Sequence, residues 1–119
     1  MVQMKDLGID NAQYAMKNGD FPAEILSSND YVVIILTQSW CPQWSALKHL
    51  ISNIEMNNLD VFLFIYDESP IFTQFMNFKE RTYNNAEIPY IRYYKEGKFE
   101  GDSNFIRKDR FLRKLGLVN

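Results

Sequence analysis

The chain has a single cysteine, Cys41, in 119 residues, so it cannot close a disulfide within itself. Positive charge is also scarce. Thirteen Lys and Arg against fifteen Asp and Glu leave a net charge of -2, too little cation to neutralise a phosphate backbone, so no nucleic acid is expected as a partner. No run approaches the roughly 20 apolar residues of a membrane span, and no membrane partner is expected. The segment Met1-Val2-Gln3-Met4-Lys5-Asp6 lacks the apolar core of a signal peptide. With no disulfide framework either, the expected location is the cytoplasm. There is no repeat and no low-complexity tract. No clustering of His, Cys and carboxylates suggests a metal, and no resident cofactor is expected.

What is present suits a folded domain. Hydrophobic residues make up 46% and charged residues 24%, a balance that supports a packed core at this length without disulfides or metals. Residues 1–119 are read as one domain and the expected state is a monomer. Asp10-Asn11-Ala12-Gln13 has the pattern of a helix start with an acidic cap, and Gly19 of its end. A short second helix is expected over 22–28.

Two continuous apolar runs, Tyr31-Val32-Val33-Ile34-Ile35-Leu36 and Val61-Phe62-Leu63-Phe64-Ile65-Tyr66, read as strands buried on both faces. The stretch between them repeats apolar residues at three and four residue steps (Trp44, Leu47, Leu50, Ile51, Ile54), which predicts a helix from Pro42 to about Glu55. Strand, helix and strand make a βαβ unit with a parallel pair. Asp67-Glu68-Ser69-Pro70 reads as a solvated loop that caps a helix over 71–82. The segment from Ala86 to Tyr94 reads as a strand, turned by Lys95-Glu96-Gly97-Lys98 into an antiparallel partner. The tail from Ile106 to Leu115 is amphipathic, with Phe111, Leu112 and Leu115 inward and Gly116 as its stop. Its basic residues, Arg107, Lys108, Arg110, Arg113 and Lys114, read as a solvated face.

This order, with Trp40-Cys41-Pro42 at the first strand-to-helix turn and Ile88-Pro89 before the hairpin, resembles the thioredoxin family from about Phe21 to Leu117. The resemblance implies an α/β fold with a central four- or five-stranded mixed sheet flanked by helices. It leaves 1–19 as an N-terminal extension, read as helical. It further implies a cis Ile88-Pro89 bond near Cys41, with the Ile88 backbone presented to an extended peptide. The Cys-Gly-Phe-Ser signature of iron–sulfur glutaredoxins is absent.

The departures from the family pattern agree with one another. The second cysteine of the Trp-Cys-x-x-Cys motif is Trp44 here. The buried aspartate that commonly serves that cysteine is Ile35, and the lysine commonly near it is Leu63. Phe105 stands roughly where the family has a glycine beside the cis-proline. Arg92, odd in a covered strand, fits a remodelled surface. The stretch from Pro70 to Pro89 is longer than usual.

One thiol can attack a disulfide but cannot release the product, so release must come from an external thiol. An unperturbed thiol has a pKa of about 8.5 and is about 3% ionised at pH 7. A helix N-terminus favours the thiolate, and surrounding indoles disfavour it. His49, two turns along the helix, is a poor partner for Cys41 and reads as a surface side chain. Two functions are therefore expected in competition. In one, Cys41 is the catalytic residue of a monothiol thiol-disulfide oxidoreductase, not a dithiol reductase. Trp40, Pro42, Ile88, Pro89, Tyr90 and Phe105 then bind protein or peptide thiols and disulfides, and glutathione or another small thiol is the co-substrate. In the other, the same groove holds a partner segment without chemistry.

Overall fold

The computed structural model describes residues 2, 4–105 and 108–115. Five strands form one sheet: β1 (Met4–Asp6), β2 (Tyr31–Thr37), β3 (Leu59–Ile65), β4 (Tyr90–Lys95) and β5 (Lys98–Ser103). Among the described residues five α-helices and one 3-10 turn (Tyr66–Glu68) accompany them: α1 (Ile9–Asn18), α2 (Ala23–Leu26), α3 (Trp44–Ser52), α4 (Phe72–Thr82) and α5 (Lys108–Lys114). The strand order is β1-β3-β2-β4-β5. β1 and β2 run parallel to β3, β4 runs antiparallel to β2, and β5 antiparallel to β4.

The two apolar runs lie in the middle of this sheet because both of their faces are covered. Val32, Ile34, Leu36, Phe62 and Phe64 face a core closed by Ala12 and Ala15 of α1 and Phe75 of α4. Val33, Ile35 and Val61 face a second core closed by Leu47 and Ile51 of α3, by Phe111 of α5 and by Leu115 just beyond it. Alternate residues of one strand thus enter opposite cores, and every side chain from Val32 to Leu36 is fully buried. Leu112 of α5 is partly buried against the second core.

The N-terminal region corrects the sequence reading of 1–19. It carries a strand as well as a helix. Met4–Asp6 pairs with Val61–Leu63, and the Leu7 N–H extends the ladder to the Leu63 carbonyl at 2.8 Å. Lys5 adds an ion pair with Asp60 at 3.2 Å. Three residues with two exposed side chains have no readable apolar period; main-chain pairing makes this strand. α1 is capped by Gly8, whose carbonyl accepts from Asn11 and Ala12. Asp10 lies within the first turn and is not the cap. Gly19 closes the helix at φ 91°, donating to the Ala15 carbonyl at 2.7 Å.

Other boundaries move as well; α2 is shorter than expected, at Ala23–Leu26, and β3 begins earlier, at Leu59. α3 begins at Trp44 because Pro42 and Gln43 form a separate turn, closed by the Trp44 N–H on the Cys41 carbonyl at 3.3 Å. It ends at Ser52, before the expected Glu55. β4 begins at Tyr90 and not at Ala86, because side chains occupy the main-chain groups of 85–89 (below). The β4–β5 turn has Glu96 at φ 52° and Gly97 at φ 80°, the primed two-residue geometry that matches strand twist. Ile106, Arg107 and Gly116 lie outside the described residues.

Candidate functional site

Cys41 sits four residues beyond the end of β2, in a turn fixed by its neighbours. Its N–H donates to the Gln38 carbonyl at 3.1 Å. Ser39 donates twice to one carboxylate, its N–H to Asp67 Oδ1 at 2.8 Å and its Oγ to Asp67 Oδ2 at 2.6 Å. Asp67 is therefore not a helix cap. It clamps the cysteine loop to the loop after β3. Gln38 makes a second bridge, donating to the Tyr66 hydroxyl at 3.2 Å and accepting from the Trp40 indole at 2.6 Å. Sequence reading missed the bridges between the two loops, because 28 residues separate Gln38 from Tyr66 and Ser39 from Asp67.

Cys41 as a whole residue is 6% exposed. Trp40 is 66% exposed, so its ring is surface, held in place by Gln38. Pro42 is exposed and Trp44 is partly buried against the second core. His49 is exposed and sits 3.3 Å from the Asn53 amide across one helical turn. Among the described residues, no group of His, Cys, Asp and Glu could hold a metal ion. Arg110, Arg113 and Lys114 are exposed on α5.

The Ile88-Pro89 peptide bond is cis. Leu36 pairs with Tyr90, so Pro89 lies beside the end of β2 from which the cysteine loop departs. Ile88 is half-buried and Phe105 is 38% exposed. The hydrogen bonds among described residues outside helices and strands leave the Ile88 N–H and C=O unused. Tyr90 is a correction to the expected groove. It is fully buried, donates to Asp102 at 2.7 Å and accepts from Arg92 at 3.0 Å, so its side chain offers nothing to a ligand. Alternation within β4 puts Tyr90, with Tyr94, into the first core and Ile91, with Tyr93, into the second.

Ile35 and Leu63 are direct partners across β2 and β3. Both belong to the second core, as does Trp44. The three positions read from the sequence as departures from the dithiol pattern thus all pack on one apolar core.

Lys79 is a site residue that the sequence reading passed over. It lies one turn beyond Phe75 on the inward stripe of α4 and is fully buried. Its ammonium donates to the Asn85 and Glu87 carbonyls, both at 2.8 Å, and lies 5.4 Å from the centroid of the Tyr90 ring. Burial depresses its pKa to about 8, against a smaller opposing pull from Glu80 and Glu87. Between about pH 8 and 10.5 the unfolded chain keeps this proton and the folded chain releases it, so stability is expected to rise with pH in that window. Above about pH 10 the sign reverses. Burial raises the phenols of Tyr83, Tyr90, Tyr93 and Tyr94, and the unfolded chain ionises first. Urea melts from pH 7 to 11 are expected to pass through a maximum near pH 9–10. Lys79→Met should flatten the rising limb; an unchanged rise would assign it to another group.

No family model matches this chain, and no curated protein matches it. Solved structures do. Oxidised thioredoxin O1 from Arabidopsis thaliana superposes with a TM-score of 0.68 at 13% identity, over 97% of this chain and 96% of that one. Oxidised thioredoxin from Plasmodium falciparum gives 0.59 at 13% identity, over 98% and 96%. The holo form of glutaredoxin C1 from Populus tremula x tremuloides gives 0.52 at 18% identity, over 85% of each chain. Identities this low carry the architecture alone, and they carry it over nearly the whole length: the chain has the thioredoxin fold.

Proposed function

We propose that this protein is a monothiol member of the thioredoxin fold that forms mixed disulfides through Cys41. The observation that carries the reading is one of placement. The only cysteine occupies the turn out of β2, and the Ile88-Pro89 segment, with unused main-chain groups at Ile88, lies at the same end of the sheet. An extended peptide pairs with Ile88 and brings its disulfide to the sulfur. The Cys41 thiolate attacks one sulfur of the target, the Cys41–S bond forms as the target S–S bond breaks, and the departing thiolate takes up a proton. Trp44 supplies no second thiol, so an external thiol such as glutathione attacks the mixed disulfide and releases Cys41. The absence of a structural disulfide suits a reducing compartment, and a cytoplasmic location belongs to the same proposal.

The 6% exposure of Cys41 favours a second reading, a binding module that holds a peptide on the Ile88 edge between Trp40 and Phe105 without chemistry. Alkylation separates the two. Under the thiol reading, iodoacetamide modifies the folded protein at pH 7 at least as fast as it modifies free glutathione. No modification of the folded chain leaves the binding reading, and so does a Cys41→Ser variant that retains the same peptide ligands at unchanged affinity. Insulin reduction is expected to be near blank; strong turnover would contradict the need for an outside thiol.

A further inference from the structure

The connection from α4 to β4 is held by side chains rather than by ladder bonds. Asn84 takes φ 54° and reverses the chain after the helix, a conformation that asparagine tolerates. Lys79 then gathers the Asn85 and Glu87 carbonyls. The side-chain amides of Asn85 and Asn104 bond each other reciprocally, both at 3.0 Å. Asn85 Oδ1 also accepts from the Glu87 N–H at 3.0 Å, and Asn104 Nδ2 also donates to the Pro89 carbonyl at 3.0 Å.

The result is a bracket around one residue. Glu87 is fixed through both its N–H and its carbonyl, and Pro89 through its carbonyl. Ile88 between them makes no main-chain hydrogen bond among the described residues. The three bracket side chains come from α4, the connection itself and the residue after β5. A methionine could fill the Lys79 site without desolvating a charge. What the lysine adds is a fixed direction for two carbonyls. Asn104 also immediately precedes Phe105, so the same amide sets where that ring leaves the sheet.

We infer that Lys79, Asn85 and Asn104 are positioning residues that hold Ile88 in the geometry for pairing with an extended peptide, so that they govern recognition of peptide disulfides and not the reactivity of the sulfur. This rests on the reading of Ile88 as the docking edge given above.

Two reagents with one leaving group test it. One is dithiodipyridine. The other is an extended decapeptide whose central cysteine is a mixed disulfide with thiopyridine. In both cases the Cys41 thiolate attacks the disulfide, thiopyridone leaves, and its absorbance reports the rate. Each rate is divided by that of glutathione with the same reagent. The wild-type protein is expected to prefer the peptide reagent, and Asn104→Ala to lower that preference on the order of tenfold while the dithiodipyridine rate stays within about twofold. Asn104→Asp keeps the acceptor for Asn85 but loses the donor to Pro89. It should behave as the alanine variant does, and it serves where alanine fails to fold.

Equal slowing with both reagents, or an unchanged preference, overturns the inference and leaves the thiol reading standing. A wild-type protein inert to both reagents removes the thiol reading alone. The affinity of the same decapeptide with serine for cysteine then decides: a loss on the order of tenfold in Asn104→Ala upholds the bracket, and equal affinity overturns it.

Discussion

Arg92→Ala is expected to lower the folding stability by about 3–5 kcal/mol, the range for removing one partner of a buried charge network. The guanidinium lies in the middle of β4, opposite Ile34, and is 7% exposed. It is sandwiched between the rings of Tyr83 and Phe99, at 3.8 and 4.2 Å from their centroids. Its Nε donates to the Tyr94 hydroxyl at 2.8 Å and Nη1 to the Tyr90 hydroxyl at 3.0 Å, while Nη2 reaches Asp20 at 3.5 Å. Each hydroxyl in turn donates a hydrogen bond to a carboxylate, Tyr94 to Asp20 at 2.6 Å and Tyr90 to Asp102 at 2.7 Å. Arginine, tyrosine and aspartate thus form two short relays of donors from one cation.

Deleting the cation leaves a cavity between two rings and strips a donor from two buried hydroxyls. It also frees the inner face of Phe99, whose 47% exposure is otherwise offset by this stacking. Arg92→Lys should recover little, since an ammonium cannot span two hydroxyls and stack on two rings. Urea melts at pH 7 measure both variants. A loss below about 1 kcal/mol in the alanine variant would mean that the guanidinium behaves as a surface group. The expectation that Arg92 marks a remodelled surface is thereby corrected: it lies inside, between β4, β5 and the segment that enters α2.

Ile35→Asp is expected to cost at least about 4 kcal/mol at pH 7, because a carboxylate placed there has no partner and the surrounding core is apolar. Ile35 is fully buried. Its register partner is Leu63, so Leu63→Lys places an ammonium on the neighbouring strand in the same core. The double variant should be more stable than the sum of the single losses predicts, by more than about 1 kcal/mol. Strict additivity would show that the two positions do not meet, against the strand register. The same cycle bears on function. Adding Trp44→Cys to the double variant gives the three positions the residue types that dithiol thioredoxins commonly carry there, and insulin reduction should then rise above that of Trp44→Cys alone.

The strands, the central helix and the hairpin were legible because their signals are local or periodic. The runs 31–36 and 61–66 are apolar without alternation, which only a strand covered on both faces requires. The turn at 95–98 is written in Gly97, which adopts φ 80°. β1 was not legible, since its pairing to β3 is main-chain and two of its three side chains are exposed. Lys79 carried a faint signal, a lysine four residues after Phe75 on an inward stripe, but nothing in α4 names the carbonyls it binds. Tyr90 looked like a groove residue from its place beside Pro89, and strand alternation buried it.

The sequence by itself determined the order of the elements from α1 onward and the single thiol at the β2–α3 turn. These are properties of residue type at fixed spacing. Only the tertiary structure decided which polar groups meet: Asp67 with Ser39, Arg92 with Asp20 across 72 residues, and Lys79 and Asn104 around Ile88. The physical reason is that burying an apolar side chain needs only a face, which a periodic pattern specifies. Burying a polar one needs a particular partner within hydrogen-bond distance, and only the folded chain brings that partner there.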